Sequence, residues 1–240
     1  MIRAAVKVGC WSAALAFFWL VTQPAQPRCV PLAGQAGAVV CGGRVGEAAV
    51  LAAPLHSAAT VETILADPLP TPNNRAPLPT WLPAGVLSWE PEIRAAAGRV
   101  GLDPLVLAII VSIECPSGNA ACGSYMGARG LTQFMPGTAD AVAIRSGLPC
   151  AERTDGQTSL NCGAYHFVEL LSMCGSLWTD GREANAIACA GAGYSAGPGY
   201  IPVMKSHVGA GGDPRTAAIP EETRRWVTLA LDMWRRAGRQ

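Results

Sequence analysis

A single glutamate stands at the end of an apolar run in the segment LVLAIIVSIE, residues 105–114. The nine residues before Glu114 are apolar except for Ser112. If this run is an interior helix, both the loss of water and the negative end of the helix dipole raise the pKa of the Glu114 carboxyl group. A carboxylic acid that stays protonated near neutral pH can donate a proton to a leaving oxygen, so Glu114 is a candidate general acid.

The position of Glu114 alone leaves a second interpretation open. The side chain could turn outward where the helix ends and be solvated, or it could pair with Arg129. A solvated carboxylate keeps a pKa of about 4 and cannot act as an acid at neutral pH. The residues that follow must decide between the two interpretations.

A glycine-rich stretch, GARGLTQFMPGTA, follows at residues 127–139. Gly127 and Gly130 permit positive φ and a close approach of the backbone to a ligand, which leaves N–H groups free to bind sugar oxygens. Gln133 can both donate and accept hydrogen bonds, which suits a sugar amide. Without context, the same glycines also fit an ordinary turn, and Gln133 also fits a solvated surface position.

This stretch resembles the signature of the soluble lytic transglycosylase family, a group related to goose-type lysozymes that cleaves bacterial peptidoglycan. In that family a catalytic Glu ends a hydrophobic helix, and a loop then leads to Gly-Ala-x-Gly-Leu-Met-Gln-x-Met-Pro-x-Thr-Ala. The blocks YSAGPG at 194–199 and IPEETRRWV at 219–227 are similar to two further family blocks and stand in the same order. GAYHFVELL, at 163–171, matches another block loosely. The resemblance spans about residues 89–234 and does not extend to residues 1–88.

The resemblance implies a mostly α-helical, lysozyme-like domain with a substrate cleft, and a lytic transglycosylase activity that forms 1,6-anhydro-MurNAc. Glu114 would act as acid and then as base. Tyr194 matches the tyrosine that reaches the catalytic Glu in the family, and it would orient or polarise Glu114. Gln133 and Ser195 would bind the glycan, together with the backbone of one short segment. That segment includes Gly127, Ala128, Gly130 and Leu131.

Four positions depart from the family pattern. The Ser after the catalytic Glu is Cys115, a Met is Thr132, the Asn after the tyrosine is Ser195, and a helix Tyr is His166. The shorter side chain of Ser195 puts one substrate contact in question. These departures keep an inactive, peptidoglycan-binding structural component open as an alternative.

The motifs fix no second carboxylate, although most glycosidases use two. In the resembled family one Glu suffices, because the N-acetyl group of the substrate assists departure of the leaving sugar. A hydrolytic muramidase is the nearest alternative, with a loop acid such as Asp155 or Asp180 positioning the attacking water. The acids outside the motifs suit solvated charges or helix caps: Asp140, Glu152, Asp155, Asp180 and Glu183.

Capping signals predict the helices that position these residues. EPEIRAAAGRVG has helical apolar spacing and ends at Gly101. The next segment begins with a capping Asp103 and with Pro104 in the first helical position, which favours a helix over the buried strand that its β-branched residues would also suit. Because this helix is apolar on every side, we expect it to be the buried spine of the domain. Pro136 marks a further helix start.

The first 25 residues predict a signal peptide or an N-terminal anchor. Arg3 and Lys7 precede an apolar run over residues 8–21, which is short for a membrane span and suits a secretory segment. Cleavage after Ala25 would place Gln23 where a small residue is usual, so an uncleaved membrane anchor stays open. Residues 26–87 are rich in Pro and Ala and predict a linker or arm, with a brief helix at 58–66, ahead of a catalytic domain at 88–240.

Eight of the nine cysteines lie outside the apolar N-terminal run, and an even number of cysteines in an exported chain predicts disulfides. Zinc is the competing interpretation, but there is no CxxC pair, and we assign no chemistry to the three scattered histidines. We therefore expect no metal, no organic cofactor, and export to the periplasm or the extracellular space. Pairing sequence neighbours gives Cys29–Cys41, Cys115–Cys122, Cys150–Cys162 and Cys174–Cys189.

The formal net charge is +1, and the basic residues are scattered rather than arranged in a stripe. This distribution argues against nucleic acid as a partner. We expect a monomer that binds the glycan strands of peptidoglycan, and we leave open a partner in cell-envelope assembly.

Overall fold

The computed structural model describes residues 28–31, 39–42, 76–177 and 182–239. The chain divides into two units, Met1–Ser57 and Ala58–Gln240. In the first unit, β1 (Arg28–Pro31) and β2 (Val39–Gly42) pair as antiparallel strands, and their register places the backbone of Cys29 opposite that of Cys41. The predicted signal segment at 1–25 and the predicted brief helix at 58–66 lie outside the described residues.

The described part of the second unit is helical, which confirms the mostly α-helical fold predicted from the sequence. Short 3₁₀ turns follow three of the helices, at Gly175–Leu177, Pro198–Tyr200 and Pro214–Thr216. Within the described ranges, no helix combines the length and the apolar content that crossing a bilayer requires. The helices are α1 (Ala84–Leu87), α2 (Glu90–Arg99), α3 (Pro104–Glu114), α4 (Pro136–Ser146), α5 (Gly156–Cys174), α6 (Glu183–Ala196), α7 (Ile201–Gly209) and α8 (Glu221–Arg236).

Helix α3 is the buried centre of this unit, as its apolar sequence predicts. Asp103 caps it by accepting a hydrogen bond from the backbone N–H of Leu105. Every side chain from Pro104 to Ser112 is buried, and the Ser112 hydroxyl donates to the carbonyl oxygen of Ala108. Burial of each Leu, Ile or Val stabilises the fold by roughly 1.5–3 kcal/mol. The helix therefore holds its last residue, Glu114, at a fixed place.

The packed core begins earlier in the chain than the domain boundary predicted at residue 88. Leu78, Leu82 and Val86 are buried with the helices, and the backbone N–H of Leu78 donates to the Glu90 carboxylate. Leu78 and Leu82 precede the first helix and stand among Pro77, Pro79 and Pro83, so no periodic pattern in the sequence marks them as core residues. The C-terminal end of the predicted Pro/Ala-rich arm at 26–87 is therefore part of the helical unit.

Helices α5, α6 and α8 complete the frame around α3. Helix α6 packs against both α5 and α8, and α8 also packs against α3. Gly191 on α6 allows a close approach of α8, because a Cβ atom at this position would lie 2.2 Å from Cζ3 of Trp226. The Trp226 ring therefore occupies space that a side chain at residue 191 would otherwise fill.

Three of the four predicted disulfides are present among the described residues, which confirms the pairing of sequence neighbours. The first closes the loop after α3, the second joins the α4–α5 connection to α5, and the third joins the end of α5 to α6. For the fourth predicted pair, Cys29 and Cys41, the structure describes only the backbone register. The three bonds are Cys115–Cys122, Cys150–Cys162 and Cys174–Cys189.

Candidate active site

Glu114 lies in an open cleft of about 700 Å³. The cleft is bordered by the end of α3, residues 133–135, α4, α5, the end of α6 and one side of α8. Its volume is within the range of ligand-binding pockets, roughly 300–1,000 Å³. The predicted acid therefore stands where a bound molecule could reach it.

The Glu114 carboxylate is held by Trp226 of α8. The indole Nε1 of Trp226 donates a hydrogen bond to Oε1 of Glu114 over 2.8 Å, although the two residues are 112 positions apart. Arg129 donates instead to the carbonyl oxygens of Ser124 and Ala128. The structure therefore contradicts the pairing with Arg129, and Glu114 is half-buried and bonded to Trp226 rather than fully solvated.

Burial raises the pKa of Glu114 to about 7, which the sequence analysis anticipated from the position of this residue. The hydrogen bond from Trp226 lowers this pKa, whereas the negative charge of Glu222 raises it. Burial is the largest of the three effects. A carboxyl group with such a pKa is present in both protonation states near neutral pH, and so it can act as an acid and as a base.

Tyr194 contacts two residues near Glu114, namely Thr132 and Trp226. Its hydroxyl donates a hydrogen bond of 2.6 Å to the carbonyl oxygen of Thr132, and its ring centroid lies 6.0 Å from that of Trp226. Burial raises the pKa of the Tyr194 hydroxyl well above its ordinary value, and the charge of Glu114 raises it further. The hydroxyl is thus bound to the segment before α4, while the ring packs on the indole that contacts Glu114.

Two of the predicted substrate-binding side chains border the cleft, namely Gln133 and Ser195. Gln133 has a φ of 49°, and its Nε2 donates to the carbonyl oxygen of Gly130. A left-handed conformation in a residue other than glycine costs about 1–3 kcal/mol and is found most often at functional sites. Ser195 donates to the hydroxyl of Thr223 on α8, at 3.3 Å.

The other four predicted substrate-binding residues lie outside the lining of the cleft. Leu131 is fully buried, and Ala128 is 9% exposed. Gly130 has a φ of 88°, and a Cβ atom there would lie 2.0 Å from the carbonyl oxygen of Arg153. The carbonyl oxygen of Gly127 accepts a hydrogen bond from the Arg153 guanidinium. In the structure this segment packs against Arg153 and leads to Gln133, and its contact with the glycan stays a prediction.

The cleft lining also contains residues that were not predicted as site residues, among them Glu222, Trp226 and His166. Glu222 and Trp226 stand in the block IPEETRRWV, which is similar to a family block but supplied no predicted site residue. A carboxylate and an indole within a block that matches the family could have identified these two residues as part of the site. Among residues 76–177 and 182–239, no group of three or more His, Cys, Asp or Glu side chains could hold a metal ion.

Comparison with known proteins relates this site to one family. The family model described as the transglycosylase SLT domain matches residues 91–213, slightly more than half of the chain. A protein named transglycosylase from Enterobacteria phage PRD1 is 35% identical over 77 residues, which cover 32% of this chain and 29% of the phage protein. The X-ray structure of an inactive mutant of lytic transglycosylase Slt from Pseudomonas aeruginosa matches 62% of this chain and 24% of that chain, with 22% identity and a TM-score of 0.43.

The present chain thus spans less than a third of the length of each of these two proteins. Because the family model alone covers half of the present sequence, including Glu114 and the loop after it, the chain belongs to the transglycosylase SLT domain family.

Proposed function

We propose that this chain is a peptidoglycan lytic transglycosylase, which cleaves the β-1,4 bond between MurNAc and GlcNAc and forms 1,6-anhydro-MurNAc. The observation that carries the proposal is a carboxyl group with a pKa of about 7, held by Trp226 in an open cleft. Membership in the SLT family supports peptidoglycan as the substrate.

In the first step, the protonated Glu114 gives its proton to the glycosidic oxygen of the leaving sugar. The indole N–H of Trp226 can only donate a hydrogen bond. It therefore favours the form of the acid in which Oε1 is the carbonyl oxygen and Oε2 carries the proton. As the glycosidic bond breaks, the N-acetyl oxygen of MurNAc bonds to C1, so that the substrate itself replaces a second carboxylate.

In the second step, the Glu114 carboxylate accepts the proton of the MurNAc 6-hydroxyl. The 6-oxygen bonds to C1, the N-acetyl group is released, and the acid returns to its starting form. A pKa of about 7 suits both steps, because neither protonation state of Glu114 is rare near neutral pH. Capture by the 6-hydroxyl is favoured over water because well-oriented intramolecular reactions reach effective molarities of ~10⁵ M or more.

The remaining predicted residues assist this chemistry in our proposal. Tyr194 keeps the Thr132 carbonyl and the Trp226 ring in place, and thereby positions Glu114. Gln133 and Ser195 contact the glycan, since both border the cleft. We also propose that the chain acts in the periplasm or outside the cell, which its three disulfides support.

The replacement Glu114→Gln tests the assignment of the acid. It keeps the shape of the side chain but removes the transferable proton, so turnover of purified peptidoglycan should fall by ~10²-fold or more while binding to glycan strands persists. Release of soluble fragments and cosedimentation with peptidoglycan measure the two quantities. Near wild-type cleavage by this variant would exclude Glu114 as the acid.

A hydrolytic muramidase remains the second candidate, and one observation favours it. Glu222 borders the cleft and acts electrostatically on Glu114, so it is a second carboxylate that could position water. The loop acids considered from the sequence fit this role less well. Asp155 caps α5 by accepting from the N–H of Thr158, and Asp180 lies outside the described residues.

A further inference from the structure

His166 of α5 borders the same cleft as Glu114, beside the aromatic residues Phe134 and Tyr194. Its ring centroid lies 5.6 Å from that of Phe134, in an edge-to-face arrangement, and 5.7 Å from that of Tyr194. Only 12% of the His166 side chain is exposed. The ring is therefore held between two aromatic neighbours, with one edge towards the cleft.

Arg145 and Glu169 orient the His166 ring through a series of hydrogen bonds. The Nε and Nη2 atoms of Arg145 donate to the two carboxylate oxygens of Glu169, at 2.6 and 2.9 Å. Oε2 of Glu169 also lies 3.3 Å from Nδ1 of His166. Burial alone would raise the pKa of Glu169, but the hydrogen bonds from His166 and Arg145 lower it below its usual value. Glu169 is thus a carboxylate that accepts the Nδ1–H of His166.

This arrangement determines what the other ring nitrogen can do. With its hydrogen on Nδ1, a neutral imidazole presents Nε2 as an acceptor. Within the described part of the chain, Nε2 of His166 has no hydrogen-bond partner, and it is not sealed from the cleft. A polar atom fixed in direction and lacking a protein partner is suited to contact a bound molecule.

We propose that His166 is a substrate-binding residue, whose Nε2 accepts a hydrogen bond from a hydroxyl or an amide N–H of an amino sugar in the cleft. This inference rests on the proposed function, because it takes a glycan as the occupant. Glu169 is a positioning residue in this scheme, since it sets the direction of the ring. Arg145 holds Glu169 in place and also borders the cleft itself. The resembled family motif has a tyrosine at the position of His166, so an imidazole acceptor here departs from that motif.

Two replacements of His166 distinguish the contribution of Nδ1 from that of Nε2. In His166→Asn the short amide reaches the place of Nδ1 and can keep the bond to Glu169, but nothing replaces Nε2. In His166→Gln the longer amide reaches the place of Nε2 and can restore the contact with the sugar. Binding is measured by calorimetry with soluble glycan strands freed of peptide, in the Glu114→Gln background, so that no turnover occurs.

We expect His166→Asn to weaken binding about five- to tenfold, as loss of one hydrogen bond predicts, and His166→Gln to stay within about twofold of the parent. His207 supplies the matched control. It lies on α7 and its Nε2 already contacts the carbonyl oxygen of Asp213 and the hydroxyl of Thr216. Replacing His207 by Asn or Gln should leave binding unchanged.

Equal affinities of the Asn and Gln variants, or weaker binding by the Gln variant, would overturn the proposed contact of His166 with the sugar. Either result would leave the proposed function intact. Weaker binding by the Gln variant would mean that His166 acts only through its bond to Glu169. A chain that binds no glycan strands in the Glu114→Gln background, and cleaves none with Glu114 in place, would overturn the proposed function and this inference together.

Discussion

A carboxyl group whose pKa is raised by burial destabilises the fold when it becomes ionised. The pKa of Glu114 rises from 4.5 to about 7. The folded chain therefore holds this proton more tightly than the unfolded chain, and stability falls as the pH rises from 4.5 towards 7. At 1.36 kcal/mol per pKa unit, the loss amounts to about 3 kcal/mol. The feature that gives Glu114 its chemistry thus costs stability above neutral pH.

Removing the charge should recover this stability. We expect Glu114→Gln to raise the free energy of unfolding at pH 8 by up to about 3 kcal/mol, and to change it little at pH 4. Urea unfolding at the two pH values measures the difference. Glu152 is exposed, and Glu152→Gln is the control that should show no such gain at pH 8. A Glu114→Gln chain that gains nothing at pH 8 would show that Glu114 is not a buried, destabilising acid.

The indole of Trp226 is expected to set the pH range of activity. Its hydrogen bond lowers the pKa of Glu114, so Trp226→Phe should raise that pKa. Because the first step needs the protonated acid, the alkaline limb of the pH–rate profile should move to higher pH by about one pH unit. The loss of positioning should also reduce turnover about tenfold at the optimum. Trp81 does not line the cleft, so the control Trp81→Phe should keep the profile. An unmoved limb in Trp226→Phe would contradict this role.

At the scale of helices and loops, local signals predicted the starts and ends of elements but not the residues that meet across them. Asp103 and Pro104 begin α3, and Pro136 begins α4, because capping and proline geometry act over a few residues. The bond between Glu114 and Trp226 joins α3 to α8 over 112 positions, and no local pattern encodes such a contact.

The loop before Gln133 illustrates a second limit of sequence reasoning. A glycine that approaches a ligand and a glycine that approaches another part of the chain have the same sequence signal. Gly130 is of the second kind, since the carbonyl group of Arg153 occupies the space that a side chain would need. The space beside its Cα is therefore filled by the protein itself, and the glycine allows the conformation of the loop that leads to Gln133.

The packing of α6 on α8 gives a test at this scale. In Gly191→Ala the added methyl group would meet the Trp226 ring and push it from its place. We expect a loss of about 1–3 kcal/mol in the free energy of unfolding, together with lower turnover, because the indole would lose its position beside Glu114. Gly209 of α7 has no atom within 4 Å of an added Cβ, so Gly209→Ala is the matched control and should change neither quantity by much. Full turnover in Gly191→Ala would mean that the position of the ring is unimportant.

For the molecule as a whole, the disulfides and the helical class followed from the sequence, whereas the extent of the folded unit did not. Cysteines that are 7, 12 and 15 positions apart pair with their neighbours, as expected from the shortest loops, although the eight cysteines alone allow 105 connectivities. Leu78 and Leu82 belong to the core, but their proline-rich surroundings predicted an unstructured arm. The first bond closes the loop after α3, the second ties the α4–α5 connection to α5, and the third ties the end of α5 to α6, so that each bond stiffens part of the frame of helices around the cleft. A rigid frame of this kind suits a site in which one acid must serve two successive steps.

The most direct test of the central claim is the chemical form of the products. Digestion of purified peptidoglycan by the chain, followed by mass spectrometry, should yield fragments that end in 1,6-anhydro-MurNAc. These fragments are lighter than hydrolysed ones by the mass of a water molecule and resist reduction by borohydride, because they have no free reducing end. Products dominated by reducible MurNAc ends would contradict the transglycosylase mechanism. They would show that water captures the intermediate, and Glu222 would then be the base to examine.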